Sequence, residues 1–148
     1  MSEAQKHRQS ALQSALRRYL DARGAAMRVA RTSLGIGELD ARALLFIAEN
    51  PGTRPTRLRE YLGITSAGVT TLIDRLVGRG AVRRDVDADD RRVNRITVTV
   101  DLALEPWSAL TRFDTDLDSR IGDQPTAKVD EFAELLDALV SGSRGSAR

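Results

Sequence analysis

The sequence contains no cysteine and only one histidine, His7. Without a thiol, the protein cannot form a disulfide, bind a metal through thiolates or sense oxidants by cysteine chemistry. A single histidine offers a transition metal no second imidazole ligand. We therefore expect no metal site and no other cofactor.

Long apolar runs are also missing. No stretch approaches the roughly 20 apolar residues that a membrane-spanning helix needs, and the start MSEAQKHRQS lacks the apolar centre of a signal peptide. We therefore expect a cytoplasmic protein that does not contact a membrane. Nucleophile motifs and phosphate-binding glycine loops are absent too, which argues against an enzyme.

The 148 residues carry a net charge of only +2, but the charge is unevenly distributed. Residues 1–35 carry +5, residues 36–50 carry −2, residues 51–100 carry +4 and residues 101–148 carry −5. A basic middle segment is typical of a protein that binds a polyanion, and an acidic final third suits packing against a basic element. Arginine supplies 21 of the 23 cationic residues; this is consistent with phosphate recognition, but codon bias explains it more simply, so it counts for little by itself.

Apolar residues at helical spacing predict helices around one pair of strands. A first helix spans residues 3–33, and a second begins near Gly37 or Glu38 and stops at Asn50. A long helix is predicted over residues 101–121, and a last helix begins at Thr126. The fold class is therefore mainly α, with a small β-hairpin.

The middle of the chain contains a helix-turn-helix pattern, in which a short turn with a glycine joins two helices. Pro55 or Thr56 opens the first helix, Gly63 ends it, and Thr65 or Ser66 caps the second. The outer face of the second helix is small or hydrogen-bonding, so it can approach base edges in a major groove. An ordinary solvated helix face is the alternative. This outer face comprises Ser66, Ala67, Gly68, Thr70, Thr71, Asp74 and Arg75.

Directly afterwards, residues 80–98 hold five arginines and four aspartates. Extended segments flank the turn sequence DADD, which predicts a β-hairpin, or wing, with an arginine-rich tip. Arg91 and Arg92 at the tip fit the narrow minor groove. We expect Asp74 and Asp90 to hold Arg92 or its neighbour by charge-assisted hydrogen bonds. The alternative is a hydrophilic tip whose charges neutralise one another.

The helices at the two ends of the chain are amphipathic and of opposite charge. This favours a homodimer in which residues 1–35 and 101–148 form a helical dimerisation region and residues 36–100 form a winged helix-turn-helix lobe. Packing of the same helices within one chain is the alternative.

Two motifs with matching order and spacing resemble those of the MarR family of winged helix-turn-helix transcriptional regulators. The first is Asp-Arg-Leu at residues 74–76, followed by Gly80 and a short strand; the second is Asp87, Asp90 and Arg92 before a strand that ends in Val98 and Thr99. The resemblance covers about residues 19–140. It implies a homodimer joined through its terminal helices, with one helix of each subunit in a major groove and wing arginines in flanking minor grooves.

The sequence also departs from the family. Gly68 and Thr71 stand where many relatives have threonine and arginine, and the usual glycine after the second strand is absent. The resemblance implies a pocket for a phenolic or other small amphipathic ligand between the dimerisation region and the lobe. Its candidate residues are Met27, Arg31, Phe46 and Trp107, although residues of these types are more often plain core or interface positions.

These observations predict a sequence-specific DNA-binding repressor that a ligand releases. The alternative is a non-specific architectural protein that coats double-stranded DNA, and a competition assay separates the two. The predicted base contacts are Ser66, Ala67, Thr70 and Thr71, the phosphate contacts are Arg57, Arg75, Arg83 and Arg84, and the minor-groove contacts are Arg91 and Arg92.

Overall fold

The computed structural model describes residues 3–144, and the side chains of residues 11–142. The side chain of His7 therefore lies outside the described residues. The elements are α1 (Glu3–Leu34), α2 (Glu38–Glu49), α3 (Pro55–Leu62), α4 (Ser66–Gly78), β1 (Val82–Val86), β2 (Asn94–Val98), a 3-10 turn (Trp107–Leu110), α5 (Arg112–Gly122) and α6 (Thr126–Arg144). Across the described part of the chain, no helix is both long enough and apolar enough to cross a membrane.

The chain divides into two compact units, Met1–Thr111 and Arg112–Arg148. The first contains α1 to α4, the hairpin and the 3-10 turn, and the second contains α5 and α6. The predicted division into a dimerisation region and a lobe concerns assembly, and it stays a prediction.

The core of the first unit forms where α2, α3 and α4 pack against the hairpin. Burying one such aliphatic side chain contributes about 1.5–3 kcal/mol, so this core fixes the orientation of α4 and leaves its other face outside. The largest fully buried side chains are Leu44, Ile47, Leu58, Leu72, Ile73, Leu76, Ile96 and Leu110.

The turn between α3 and α4 depends on one glycine and one cap. Gly63 adopts a left-handed conformation, with φ 67°, that a glycine accepts without steric cost, and its N–H donates to the carbonyl of Arg59 at 2.9 Å. The Thr65 hydroxyl then accepts a hydrogen bond from the N–H of Gly68 at 3.0 Å, which satisfies a free donor of the first turn of α4. The predicted stop and cap are both confirmed.

The predicted long helix over residues 101–121 is wrong in its first half, because α5 begins only at Arg112. Pro106 has no N–H to donate and disfavours a helical conformation in the residue before it. The carboxylate of Asp101 accepts from the N–H of Ala103 at 2.8 Å, and the Asp101 carbonyl accepts from Leu104, so a turn forms instead.

Candidate nucleic-acid interface

Four members of the outer face of α4 have small, exposed side chains: Ser66, Ala67, Thr70 and Thr71. The Thr70 hydroxyl donates to the carbonyl of Ser66, and the Thr71 hydroxyl donates to that of Ala67, both at 3.0 Å. Each threonine hydroxyl thus donates its proton to a carbonyl of the helix, and its oxygen remains available as an acceptor. The Ser66 hydroxyl differs, because it accepts from Arg59 Nη1 at 3.2 Å and keeps its own proton available.

The wing is a two-stranded antiparallel hairpin in which Val82 pairs with Val98 and Val86 pairs with Asn94. Arg91 and Arg92 lie in the turn and are exposed. Neither guanidinium makes a hydrogen bond or ion pair with any described residue. Both are therefore available to a partner outside this part of the chain.

Asp90 and Asp74, the two aspartates predicted to hold Arg92 or its neighbour, make no contact with the Arg92 guanidinium; Asp90 holds Arg92 through its backbone instead. Asp90 lies in the turn, where its carboxylate reaches the backbone two residues on and accepts from the N–H of Arg92 at 3.0 Å. Asp74 lies on α4 beside the wing, and its carboxylate pairs with Arg84 Nη2 of β1 at 2.5 Å. Asp74 thus ties the wing to α4 and leaves the tip unrestrained.

The other arginines predicted to contact phosphate have varied surroundings. Arg83 pairs with Asp85 at 2.9 Å, and both side chains are about half exposed. The guanidinium of Arg57 lies over the ring of Phe46, 6.0 Å from its centroid. These contacts leave both side chains at the surface.

An ion pair between Asp87 and Arg95, which the sequence analysis did not include among the site residues, joins the wing to the loop before α3. One oxygen of the nearly buried Asp87 carboxylate accepts from the N–H of Asp89 at 2.9 Å, and the other accepts from Arg95 Nε at 2.6 Å. Arg95 Nη1 also donates to the carbonyl of Gly52 at 3.1 Å. These hydrogen bonds lower the pKa of Asp87; the bond from the Asp89 N–H has the largest effect and the bond from Arg95 the next largest. Burial raises the pKa, but by less.

We expect this ion pair to make the stability of the wing depend on pH. Because the folded-state pKa of Asp87 lies below its ordinary 3.8, ionised Asp87 stabilises the fold fully above that ordinary value and loses this effect as the pH falls through the folded pKa. Asp87→Asn should therefore have a lower melting temperature than the wild type at pH 7. This difference in melting temperature should become smaller below pH 4. Asp89→Asn, at an exposed position, is the control. A difference in melting temperature that does not change with pH would contradict the stabilising role of ionised Asp87.

A second ion pair connects α4 to the core. Arg75 Nη2 donates to Asp40 Oδ1 at 2.6 Å, and Arg75 Nε donates to Oδ2 at 3.3 Å. The Asp40 side chain is 6% exposed, whereas that of Arg75 is 50% exposed. The hydrogen bond to Asp40, with its charge, raises the pKa of Arg75, which stays cationic. Arg75 thus holds α4 against α2 while half of its side chain remains at the surface.

Replacing Asp40 by alanine should destabilise the protein by about 1–3 kcal/mol, because the change removes two charged hydrogen bonds, both of them to the buried Asp40 carboxylate. Urea unfolding measures this. Glu38→Ala is the matched control: Glu38 pairs with Arg31 at 3.2 Å, but its side chain is 71% exposed, so we expect a loss below about 0.5 kcal/mol. Equal small losses in both variants would refute the structural role of Asp40.

The structure brings together two of the four predicted ligand residues. Met27 and Arg31 line an open cleft of about 420 Å³ against α2, which Tyr61 also borders. Phe46 instead stacks on Tyr61 with ring centroids 4.3 Å apart, and Trp107 packs against the core. The cleft is strongly basic, since Arg23, Arg28, Arg31 and Arg42 line it beside the single acid Glu38.

The helix pair α3–α4 followed by the hairpin defines a winged helix-turn-helix protein. Residues 34–93 match the model of the MarR family. This segment is therefore similar to the MarR family, and the resemblance found in the sequence is confirmed over these residues.

Solved structures agree with this fold. The transcriptional regulator Tm0710 from Thermotoga maritima matches with a TM-score of 0.64 and 21% identity, covering 92% of this chain and 98% of its own. RV1404 from Mycobacterium tuberculosis matches with a TM-score of 0.65 and 17% identity over 95% of each chain. FabT of Streptococcus pneumoniae, in complex with DNA, matches with a TM-score of 0.63 and 18% identity, covering 89% and 97%. No curated protein matches this chain.

Proposed function

We propose that the protein is a sequence-specific DNA-binding transcriptional regulator that acts as a homodimeric repressor. The observation that carries the proposal is the outer face of α4, small and rich in hydroxyls, beside a wing whose tip arginines have no partner among the described residues. A major groove is wide enough to admit an α-helix, and small or hydrogen-bonding side chains let the helix approach the base edges. The DNA complex of FabT, which shares this fold, supports the same partner.

The hydroxyl orientations on α4 define which base edges the outer face would read. Thr70 and Thr71 present acceptors, which suit the amino groups of adenine and cytosine, whereas Ser66 keeps a proton for an acceptor such as guanine O6 or thymine O4. Ala67 suits the thymine methyl group. The phosphate contacts would come from Arg57, Arg75, Arg83 and Arg84, and the minor-groove contacts from Arg91 and Arg92.

Fluorescence anisotropy with a duplex from upstream of the protein's own gene tests this function. The titration is run over a salt series with excess scrambled competitor, because phosphate contacts alone give affinity without specificity. We expect binding that survives the competitor. If scrambled DNA competes as well as the duplex itself, the protein does not bind this duplex specifically. Selection from random duplexes then decides whether the protein prefers any sequence.

A non-specific architectural protein is the second candidate, and the observation that favours it is the number of exposed arginines around the wing. Such a protein would bind any duplex with similar affinity at matched salt. The same competition assay distinguishes it from a regulator.

We further propose that the α1–α2 cleft takes the releasing ligand. Four arginines against one glutamate favour an acidic group, and Met27, Leu45 and Tyr61 offer an apolar side. A small aromatic acid fits both features. Calorimetric titration with such acids, in the wild type and in Arg42→Ala, tests the assignment, and equal heats in both proteins would refute it.

A further inference from the structure

A second pocket lies between the α2–α3 loop and the foot of the wing, away from the α1–α2 cleft. We call it the loop pocket; its volume is about 290 Å³. Three arginines line it and no acidic residue does. The lining residues that matter here are Asn50, Thr53, Arg54, Thr56, Arg57 and Arg95.

Two of the three guanidiniums are positioned by neighbouring groups. Arg95 is fixed from both sides, by the Asp87 carboxylate and by the carbonyl of Gly52. Arg57 lies over the ring of Phe46, which is itself stacked on Tyr61. The guanidiniums of Arg54 and Arg57 make no hydrogen bond or ion pair with the described residues, so their N–H groups are available at the pocket.

The wall of the loop pocket also contains a buried hydroxyl. Thr53 is 5% exposed, and its carbonyl accepts from the N–H of Ile96 at 2.8 Å, which joins the loop to β2. Its Oγ1 is buried and has no hydrogen-bond partner among the described residues. Buried polar atoms ordinarily have a partner, and the described residues supply none for this hydroxyl.

We propose that the loop pocket binds one phosphate group of the DNA backbone, an inference that rests on the proposed function. Three cationic side chains without an acid among the lining residues focus a positive potential in a concave site. The planar guanidinium fork matches two phosphate oxygens, and charge-assisted hydrogen bonds of this kind are the strong ones. Asp87 bonds to the N–H of Asp89 in the wing turn and also pairs with Arg95 of the pocket. A phosphate bound by Arg95 would therefore hold the wing in place.

Arg54→Ala is the sharpest variant, because Arg54 is exposed and its removal breaks no contact found in the described structure. Each phosphate contact contributes about 0.9 to the slope of log K against log salt. For Arg54→Ala, the slope should therefore be smaller by about 0.9. Over the tenfold range from 1 M to 0.1 M salt, this difference in slope corresponds to DNA binding about eightfold weaker than that of the wild type at 0.1 M salt. Arg120→Ala on α5 removes the same charge outside the pocket and should leave the slope unchanged. Equal slopes in the wild type and Arg54→Ala would overturn the proposal.

Single methylphosphonate substitutions along the duplex identify the source of the phosphate. At one backbone position, the neutral linkage should weaken binding by the wild type more than binding by Arg54→Ala, which has already lost one of the three guanidiniums at this phosphate. Equal weakening of both proteins at every position overturns the assignment to DNA.

The failure of the proposed function shows in the wild type itself, which then binds no duplex or binds every duplex with equal affinity. Thermal melting with inorganic phosphate distinguishes the remaining case. A rise in melting temperature that Arg54→Ala lacks would reassign the pocket to a free phosphate and overturn the proposal.

Discussion

The double variant Arg91→Ala/Arg92→Ala is expected to bind a specific duplex at least a hundredfold more weakly than the wild type. Each guanidinium in the minor groove should contribute tenfold or more, roughly 1.4 kcal/mol. Both side chains are exposed and make no hydrogen bond or ion pair within the described structure. Their removal therefore costs DNA contacts and no internal ones, and anisotropy measures the loss.

Two controls show whether the loss of binding comes from unfolding or from removing positive charge at any position. The melting temperature of the double variant should equal that of the wild type, because the changes remove no internal contact. Arg120→Ala should bind normally, since Arg120 lies on α5, outside the wing. Unchanged affinity in the double variant would refute the placement of the wing tip on DNA.

The second large effect is expected from the apolar stripe of α6. Phe132, Leu135 and Leu139 recur at helical spacing and are about half exposed, as an association surface requires. We propose that this stripe forms part of the homodimer interface. Leu135→Asp/Leu139→Asp should then yield a monomer by sedimentation equilibrium and weaken specific DNA binding more than a hundredfold, because one subunit reaches only one half-site.

Ser141→Asp is the matched control for the α6 variant, since it adds a charge to the same helix away from the stripe. This control should remain dimeric and bind DNA normally. A monomeric wild type, or a double variant that stays dimeric, would contradict the proposed role of α6.

Local sequence signals predicted most of the fold, because helices follow from apolar periodicity and their ends from caps. The N-cap Thr65 and the stop at Gly63 are examples, since each acts through neighbours within a few residues. The start of α5 was missed because apolar residues continue at helical spacing through residues 102–110. There, Pro106 and the turn at Asp101 outweigh the periodicity.

The exposed residues of the candidate site could also be predicted, but their partners could not. Whether a side chain faces outward follows from the helical period, whereas the pairing of Arg75 with Asp40, 35 residues away, depends on how α2 packs against α4. One signal was available for Asp40, which shares the apolar face of α2 with Leu44 and Ile47 at i, i+4 and i+7. A carboxylate buried on such a face needs a cationic partner.

The central claim is that two copies of this chain read DNA sequence together, and selection of bound duplexes from a random pool tests it most directly. The account predicts an enriched sequence with two-fold symmetry, whose half-sites are centred about one helical turn, roughly 10 base pairs, apart. Enrichment should disappear in the Leu135→Asp/Leu139→Asp variant. A pool that stays random after repeated selection with the wild type would contradict the claim and favour a protein that coats DNA without reading it.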